Sequence, residues 1–279
     1  MIKIGDYNVL KVNRQVEFGY YLADEKGHEV LLPNKLAKGH DVHLNEDIKV
    51  FVYRDSSDRP IATLKEPKAK VGDIAYLEVT AIEAFGAFAD FGLDRDIFIP
   101  IKEQRFKLRT EESYLFYIYL DKTDRLAATT NVERYIEIAE GGYEVGNEVE
   151  AMVYAKSSGG ALSVAVEGKH KGLVLANEFY GDALPGMKMK LRIKRIYEDG
   201  TLGLTPRQTK LVERSALQEK ILTYMKINGG VMEFNDKSAP EAIKATFGTS
   251  KNYFKMALGG LMKEGLLSQD KEGSRLLDK

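Results

Sequence analysis

A spacing that occurs twice constrains this chain more than any other feature. Gly5-Asp6 is followed, after one strand-length of chain, by Phe18-Gly19-Tyr20-Tyr21. Gly72-Asp73 is followed at the same distance by Phe85-Gly86-Ala87-Phe88, so Tyr21 corresponds to Phe88. Gly146-Asn147 opens a third strand-rich segment, and the two intervals between these openings are nearly equal. Here Gly159-Gly160-Ala161-Leu162 replaces the aromatic pair. A later block also recurs, as Val30-Leu31-Leu32-Pro33, Ile97-Phe98-Ile99-Pro100 and Leu173-Val174-Leu175-Ala176. Charged turns then precede a closing strand: Asp55 to Asp58, Asp121 to Asp124, and Glu198-Asp199-Gly200. Short β-rich runs, glycine-bearing turns and a period the length of one small barrel predict three antiparallel barrels in series.

The second copy is the most explicit. Parity along its strand puts Ala87, Ala89 and Phe91 on one face and Phe88 and Asp90 on the other. An aromatic that shares a face with an aspartate is either a stacking platform for bases or is covered by a neighbouring loop or domain. The pattern from Gly72-Asp73 through Val79-Thr80, Phe85-Gly86-Ala87-Phe88 and Asp90-Phe91-Gly92 resembles the RNA-binding repeat of the largest protein of the small ribosomal subunit. That resemblance implies a five-stranded OB-fold barrel with Phe85 and Phe88 on its nucleic-acid face. A histidine usual in the family is missing, its places being Leu32, Ile99 and Leu175.

After Pro206 the period changes. Leu211, Leu217, Ile221, Leu222 and Met225 recur at helical spacing until Gly229-Gly230. Val231 to Phe234 reads as a short strand, and Ser238-Ala239-Pro240-Glu241 as a capping box that starts a helix. Thr249 or Ser250 opens another helix, and Leu266 to Leu277 reads as a hairpin. That order is a winged helix-turn-helix. The boundaries expected are 1–67, 71–130 and 143–208 for the barrels and 211–279 for the winged helix, with 131–142 a helical linker capped by Asn131. Three OB-type barrels followed by a winged helix is the architecture of the conserved virulence factor B (CvfB, YitL-like) family of RNA-binding regulators, which the chain resembles over essentially its whole length. The fold class expected is therefore mostly β with α.

Composition narrows the chemistry. No cysteine is present, which excludes disulfides, thiolate metal sites and a cysteine nucleophile. No apolar run is long enough for a membrane span and the first residues lack a signal-peptide core, so a cytoplasmic protein is expected. The net charge is −1, distributed unevenly: residues 71–142 hold 8 basic and 14 acidic groups. His40 and His43 lie in a polar loop and read as solvated. No phosphate-cradling glycine motif and no acidic metal cluster stands out, so neither an enzyme nor a cofactor is expected.

The candidate contacts follow from pattern. In Met187 to Arg195 a strand would project Lys188, Lys190, Arg192 and Lys194 from one face and Met187, Met189, Leu191 and Ile193 from the other. Side chains on one face repeat at roughly 6.6 Å, suited to the phosphates of a stretched single strand; a solvated or edge-protecting face is the alternative. Arg207 would extend the patch. Phe18 with Tyr21, and Phe85 with Phe88, are two candidate stacking pairs. Lys251, Asn252 and Lys255 on the last helix, and Arg275 after the wing turn, are the winged helix's candidates. The expected partner is single-stranded RNA, with DNA open, and a monomer is favoured. The expected role is post-transcriptional control. A DNA-binding transcription factor or a protein-interaction scaffold are the alternatives.

Overall fold

A computed structural model describes residues 1–179, 182–206 and 210–277 of the chain. The first 206 residues form one compact unit and the remainder a second. Strands β1 (Asp6–Val16), β2 (Gly19–Ala23), β3 (Glu29–Pro33), β4 (Asp47–Arg54) and β5 (Pro60–Thr63) close a barrel in the order β1-β2-β3-β5-β4. A short helix, α1 (Asn34–Ala37), follows β3. The second barrel uses β6 (Ile74–Glu83), β7 (Gly86–Ala89), β8 (Ile97–Pro100), β9 (Ser113–Leu120) and β10 (Leu126–Thr129). The third uses β11 (Glu148–Lys156), β12 (Leu162–Val166), β13 (His170–Val174), β14 (Lys188–Ile196) and β15 (Leu202–Thr205). All three have the same strand order, that of the OB fold.

The repeat spacing has a backbone cause. Gly5, Gly72 and Gly146 have φ of 74°, 95° and 101°, a conformation that favours glycine. Their amides donate to the carbonyls of Val52, Ile118 and Ile193, tying each first strand to its fourth. The register of each first strand then shifts at an equivalent place, between Val12 and Arg14, Val79 and Ala81, and Val153 and Ala155. Such bulges bend a long strand so that it can serve both sides of a closed barrel. The closing turns repeat too: Asp58, Asp124 and Gly200 all have positive φ. In each, an aspartate oxygen (Asp55, Asp121 or Asp199) accepts from backbone amides of its own turn.

The barrels do not stand apart. β4 is buried continuously from Val50 to Tyr53, because both of its faces are covered. Val50 and Val52 fill the first barrel, while Phe51 and Tyr53 join the core of the second. Likewise Ala151 and Val153 of β11 fill the third barrel, whereas Met152 and Tyr154 pack with Leu115, Val132 and Ile136. The segment expected to be a helical linker makes one 3-10 turn, Val132–Arg134, with no side-chain cap from Asn131. Tertiary contacts override helix formation there: Val132 and Ile136 are buried between barrels, the Tyr135 ring stacks on Tyr117 at 3.3 Å, and Glu137 bridges to His170.

The second unit packs α2 (Lys210–Ile227), α3 (Pro240–Phe247) and α4 (Lys251–Lys263) around Ile221, Met225, Phe247, Phe254 and Leu258. A sheet of β16 (Val231–Met232), β18 (Ser274–Leu276) and β17 (Leu267–Gln269) completes a winged helix. Pro240 opens α3 as expected, but the capping box does not form. Ala239 is the N-cap, and the Ser238 hydroxyl accepts from the Asn235 amide in the preceding turn instead. Ser250 does cap α4, accepting from the Tyr253 amide at 3.4 Å.

Candidate nucleic-acid interface

The Phe-Gly pair of the first two repeats is a packing device. Gly86 pairs with Pro100 across β7 and β8, and a Cβ there would overlap the Ile99 carbonyl oxygen and the Phe98 ring. On Gly19 it would overlap the Leu32 carbonyl. Only glycine lets the two strands close at this point. Beyond Gly86, Ala87 and Ala89 point into the core with Phe91, as parity predicts, and Phe88 points out.

Phe88 lies directly opposite Phe98 on β8. Their ring centroids are 5.3 Å apart, and Phe85, 59% exposed at the turn, is 6.2 Å from Phe88 and 5.7 Å from Phe98. The outward face of the second barrel thus carries three rings. Sequence reasoning missed Phe98 because the family's histidine position falls on its neighbour Ile99, which is fully buried. The same parity rule, applied from Ile97 to Pro100, would have found it.

The three rings line a groove of 620 Å³. It is also lined by Tyr53, Arg54, Asp55 and Ser56 of the first barrel and by Asp94, Arg95, Asp96, Asp121 and Arg125 of the second. Burial pushes the Tyr53 phenol up to about 12, so the ring stays neutral. Of the four acids that line the groove, Asp96 accepts from the Thr80 hydroxyl at 2.7 Å and Asp121 from amides of its own turn, while Asp94 and Asp55 are ion-paired. Asp94 is paired with Lys35 and Lys65, which hold its carboxyl below its ordinary range. Burial opposes ionisation of Asp55, but Arg59 and backbone amides outweigh it. Arg54 meets Asp124 at 3.3 Å, and Arg125 reciprocates with Asp58. Among the described residues, exposed Arg95 has no ion-pair partner.

The other barrels offer less. The positions equivalent to Phe88 and Phe98 are Tyr21 and Leu31 in the first barrel. The Arg14 guanidinium lies 3.7 Å from the Tyr21 ring centre and is itself held by Glu29 at 3.0 Å, so that face of the ring is covered. Phe18 is 58% exposed at its turn. In the third barrel Leu162 pairs with Val174 and both are buried. The outward pair is therefore Ser163 and Leu173, one place away from the alignment through Leu162 and Leu175.

The basic strand forms in the expected register as far as Ile193, and its pairing with β15 shifts at Lys194. Leu191 and Ile193 are buried, while Lys188, Lys190 and Lys194 are exposed and Arg192 is half-buried. What a single strand could not show is its neighbour. Glu150 lies opposite Lys190, and Glu148 opposite Arg192, on β11. Lys194 pairs with the buried carboxylate of Glu178, whose other oxygen accepts from Thr205 at 2.7 Å. The Lys188 ammonium sits 4.3 Å over the Tyr76 ring of the second barrel. Arg207 lies outside the described residues.

On the winged helix, Asn252, Lys255 and Arg275 are exposed and Lys251 is half-buried. The Lys251 ammonium donates to the Lys237 carbonyl at 3.1 Å, and Lys255 meets Asp236 at 3.7 Å. Arg275 lies 3.8 Å from both Asp270 and Glu272. No group of three or more histidine, aspartate or glutamate side chains suited to a metal occurs among the described residues. No described helix is long and apolar enough to cross a membrane.

Residues 4–65 and 71–131 match the S1 domain, and residues 219–276 match the CvfB-like winged helix domain. YitL of Bacillus subtilis is 27% identical over 274 residues, covering 95% of this chain and 91% of that one. Conserved virulence factor B of Staphylococcus epidermidis is 25% identical over 276 residues, 95% and 92% of the two chains. A crystal structure of a multidomain protein with nucleic acid binding domains from Streptococcus pneumoniae superposes with a TM-score of 0.54 at 26% identity, covering 98% of each chain. The chain thus combines S1 domains with a CvfB-like winged helix, and relatives named YitL and Conserved virulence factor B match most of its length.

Proposed function

We propose, for a chain of S1 domains and a CvfB-like winged helix, that it binds nucleic acid as a single strand, with RNA the preferred form. The observation that carries this is the ring trio of Phe85, Phe88 and Phe98 in a groove of 620 Å³. Every base has a π-face, so three rings in one cleft offer stacking without sequence readout. Residues of the first barrel line the same cleft as the rings, so unpaired bases fit it better than a stacked duplex. Arg95, without an ion-pair partner among the described residues, supplies a phosphate contact at the groove.

The mechanism is binding rather than chemistry. Unpaired bases leave water for the rings, and the arginine fixes the backbone. The winged helix adds a second, weaker contact through Asn252 and the cations near it, and the two linked sites raise affinity through effective concentration. A regulator of gene expression acting on transcripts in the cytoplasm fits this design. The test is affinity for single-stranded RNA, single-stranded DNA and duplex DNA of one sequence, read by fluorescence anisotropy. Single-stranded RNA binds tightest under this reading. Tighter binding of duplex DNA would overturn it in favour of a winged helix that reads a groove.

A further inference from the structure

A second cavity, of 390 Å³, lies where the second and third barrels meet. Arg105, Phe106, Thr130, Asn131 and Glu133 form one side, and Tyr154, Ala155, Lys156 and Pro185 the other. None of these residues belongs to the ring groove. The Arg105 amide donates to the Thr130 hydroxyl at 2.7 Å, and its Nη2 donates to Asn131 Oδ1 at 2.8 Å. The guanidinium is thereby held in place with most of its five N–H donors unspent. Lys156 ends β11 on the opposite wall, exposed. Neither cation has a carboxylate within ion-pair distance among the described residues. The one acid in the wall, Glu133, faces Lys171 at 3.9 Å. Phe106, packed on Tyr114 with centroids 5.4 Å apart, and Pro185 give the cavity apolar walls.

Two cations from different barrels, converging on a small cavity with an aromatic wall, form a site for an anion attached to a flat ring. We infer that this junction binds one phosphate-bearing nucleotide, with Arg105 and Lys156 on the phosphate and Phe106 and Pro185 against the ribose or base. Its source is the strand held in the ring groove, continuing from the second barrel onto the third, so the inference rests on the single-strand reading. Contacts between the two barrels hold the Pro185 side of the junction. The Tyr76 hydroxyl donates to the Gly186 carbonyl at 3.4 Å, and a Cβ on Gly186 would overlap the Ser113 carbonyl oxygen, so the Pro185 loop is seated on the second barrel.

The test titrates full-length wild type, Lys156→Gln and Arg105→Gln/Lys156→Gln with a labelled RNA of about 12 nucleotides, within the usual site sizes of such folds. Lys156→Gln removes no side-chain hydrogen bond in the described structure, so thermal melting of that variant matches wild type. The double variant loses about tenfold in affinity, as for a charged hydrogen-bond contact. Its slope of log affinity against log salt flattens by about 0.7, one phosphate contact. Unchanged affinity and slope in both variants, with wild type binding, would overturn the junction site and leave the ring groove standing. Should wild type bind no strand, the groove reading fails, and calorimetry with adenosine monophosphate decides the junction alone. Binding abolished by the double variant sustains it as a free-nucleotide site, and no binding to wild type overturns it.

Discussion

Replacing Phe98 separates the ring groove from ordinary barrel packing. Full burial makes a Phe→Ala change cost roughly 3–5 kcal/mol. Phe98 is only half-buried, its inner edge resting where Gly86 leaves room, so truncation costs about 2 kcal/mol of stability. Its effect on binding is of similar size for a different reason. A stacked base contributes ~1–3 kcal/mol, so losing one platform lowers affinity by about 5- to 150-fold. Phe98→Leu distinguishes the two effects, since leucine keeps bulk against Gly86 but has no π-face. Its stability stays within ~1.5 kcal/mol of wild type, while affinity falls nearly as far as in Phe98→Ala. Anisotropy with a labelled RNA, alongside urea melts of the three proteins, gives both quantities. If Phe98→Leu and Phe98→Ala both bound as wild type does, base stacking in this groove would be refuted, whatever the melts showed.

Gly86→Ala drives a Cβ into the Ile99 carbonyl and the Phe98 ring, so it destabilises by ~1–3 kcal/mol in urea melts; a loss below about 0.5 kcal/mol would mean the strands have room that the structure does not show. Lys190→Gln with Arg192→Gln flattens the salt slope by less than the roughly 1.4 expected of two phosphate contacts, because Glu150 and Glu148 lie opposite them; the full change would place the strand on this face after all. Asp94 is held below its ordinary value of 3.8 by Lys35 and Lys65, so its stabilisation is present above that pH and is lost as pH falls through the folded value. Wild type is therefore more stable than Asp94→Asn at pH 7 and pH 5, and the gap narrows below pH 4 in urea melts at each pH; a gap independent of pH would remove the ion pairs as its cause.

Features that one strand or turn decides by itself were legible. The glycine spacing, the inward run of Ala87, Ala89 and Phe91, the alternation in Met187 to Arg195 and the order of the winged helix all follow from period and turn chemistry. What failed needed a second element. Val132-Glu133-Arg134-Tyr135 carries an adequate helical signal, yet Tyr117 and the third barrel hold it in another conformation. Ser238 has a partner in the preceding turn that competes with capping. The four cations on β14 look unopposed until the register of β11 puts Glu148 and Glu150 beside them. The third repeat slips by one place because Leu162, not Ser163, is the residue the core takes.

The charge of the second repeat shows most plainly why averages misdirect. Taken as a sum, 14 acids against 8 bases in residues 71–142 argue that this region repels phosphate. Three of these acids are ion-paired with cations ahead of β6, however. Asp94 meets Lys35 and Lys65, Asp90 meets Lys68 at 2.6 Å, and Asp124 meets Arg54, all cations from the chain ahead of β6. These pairs surround the place where Phe51 and Tyr53 leave the first barrel to enter the second barrel's core. Exposed pairs of this kind contribute little energy each, and the shared apolar core carries the docking. The pairs set which edge of the second barrel the first one meets, since like charges there would disfavour other registers. The consequence reaches the groove. With Asp94 paired to Lys35 and Lys65, the groove presents three rings and Arg95 beside Asp96 and Asp121, and its first-barrel lining exists only because the docking put it there.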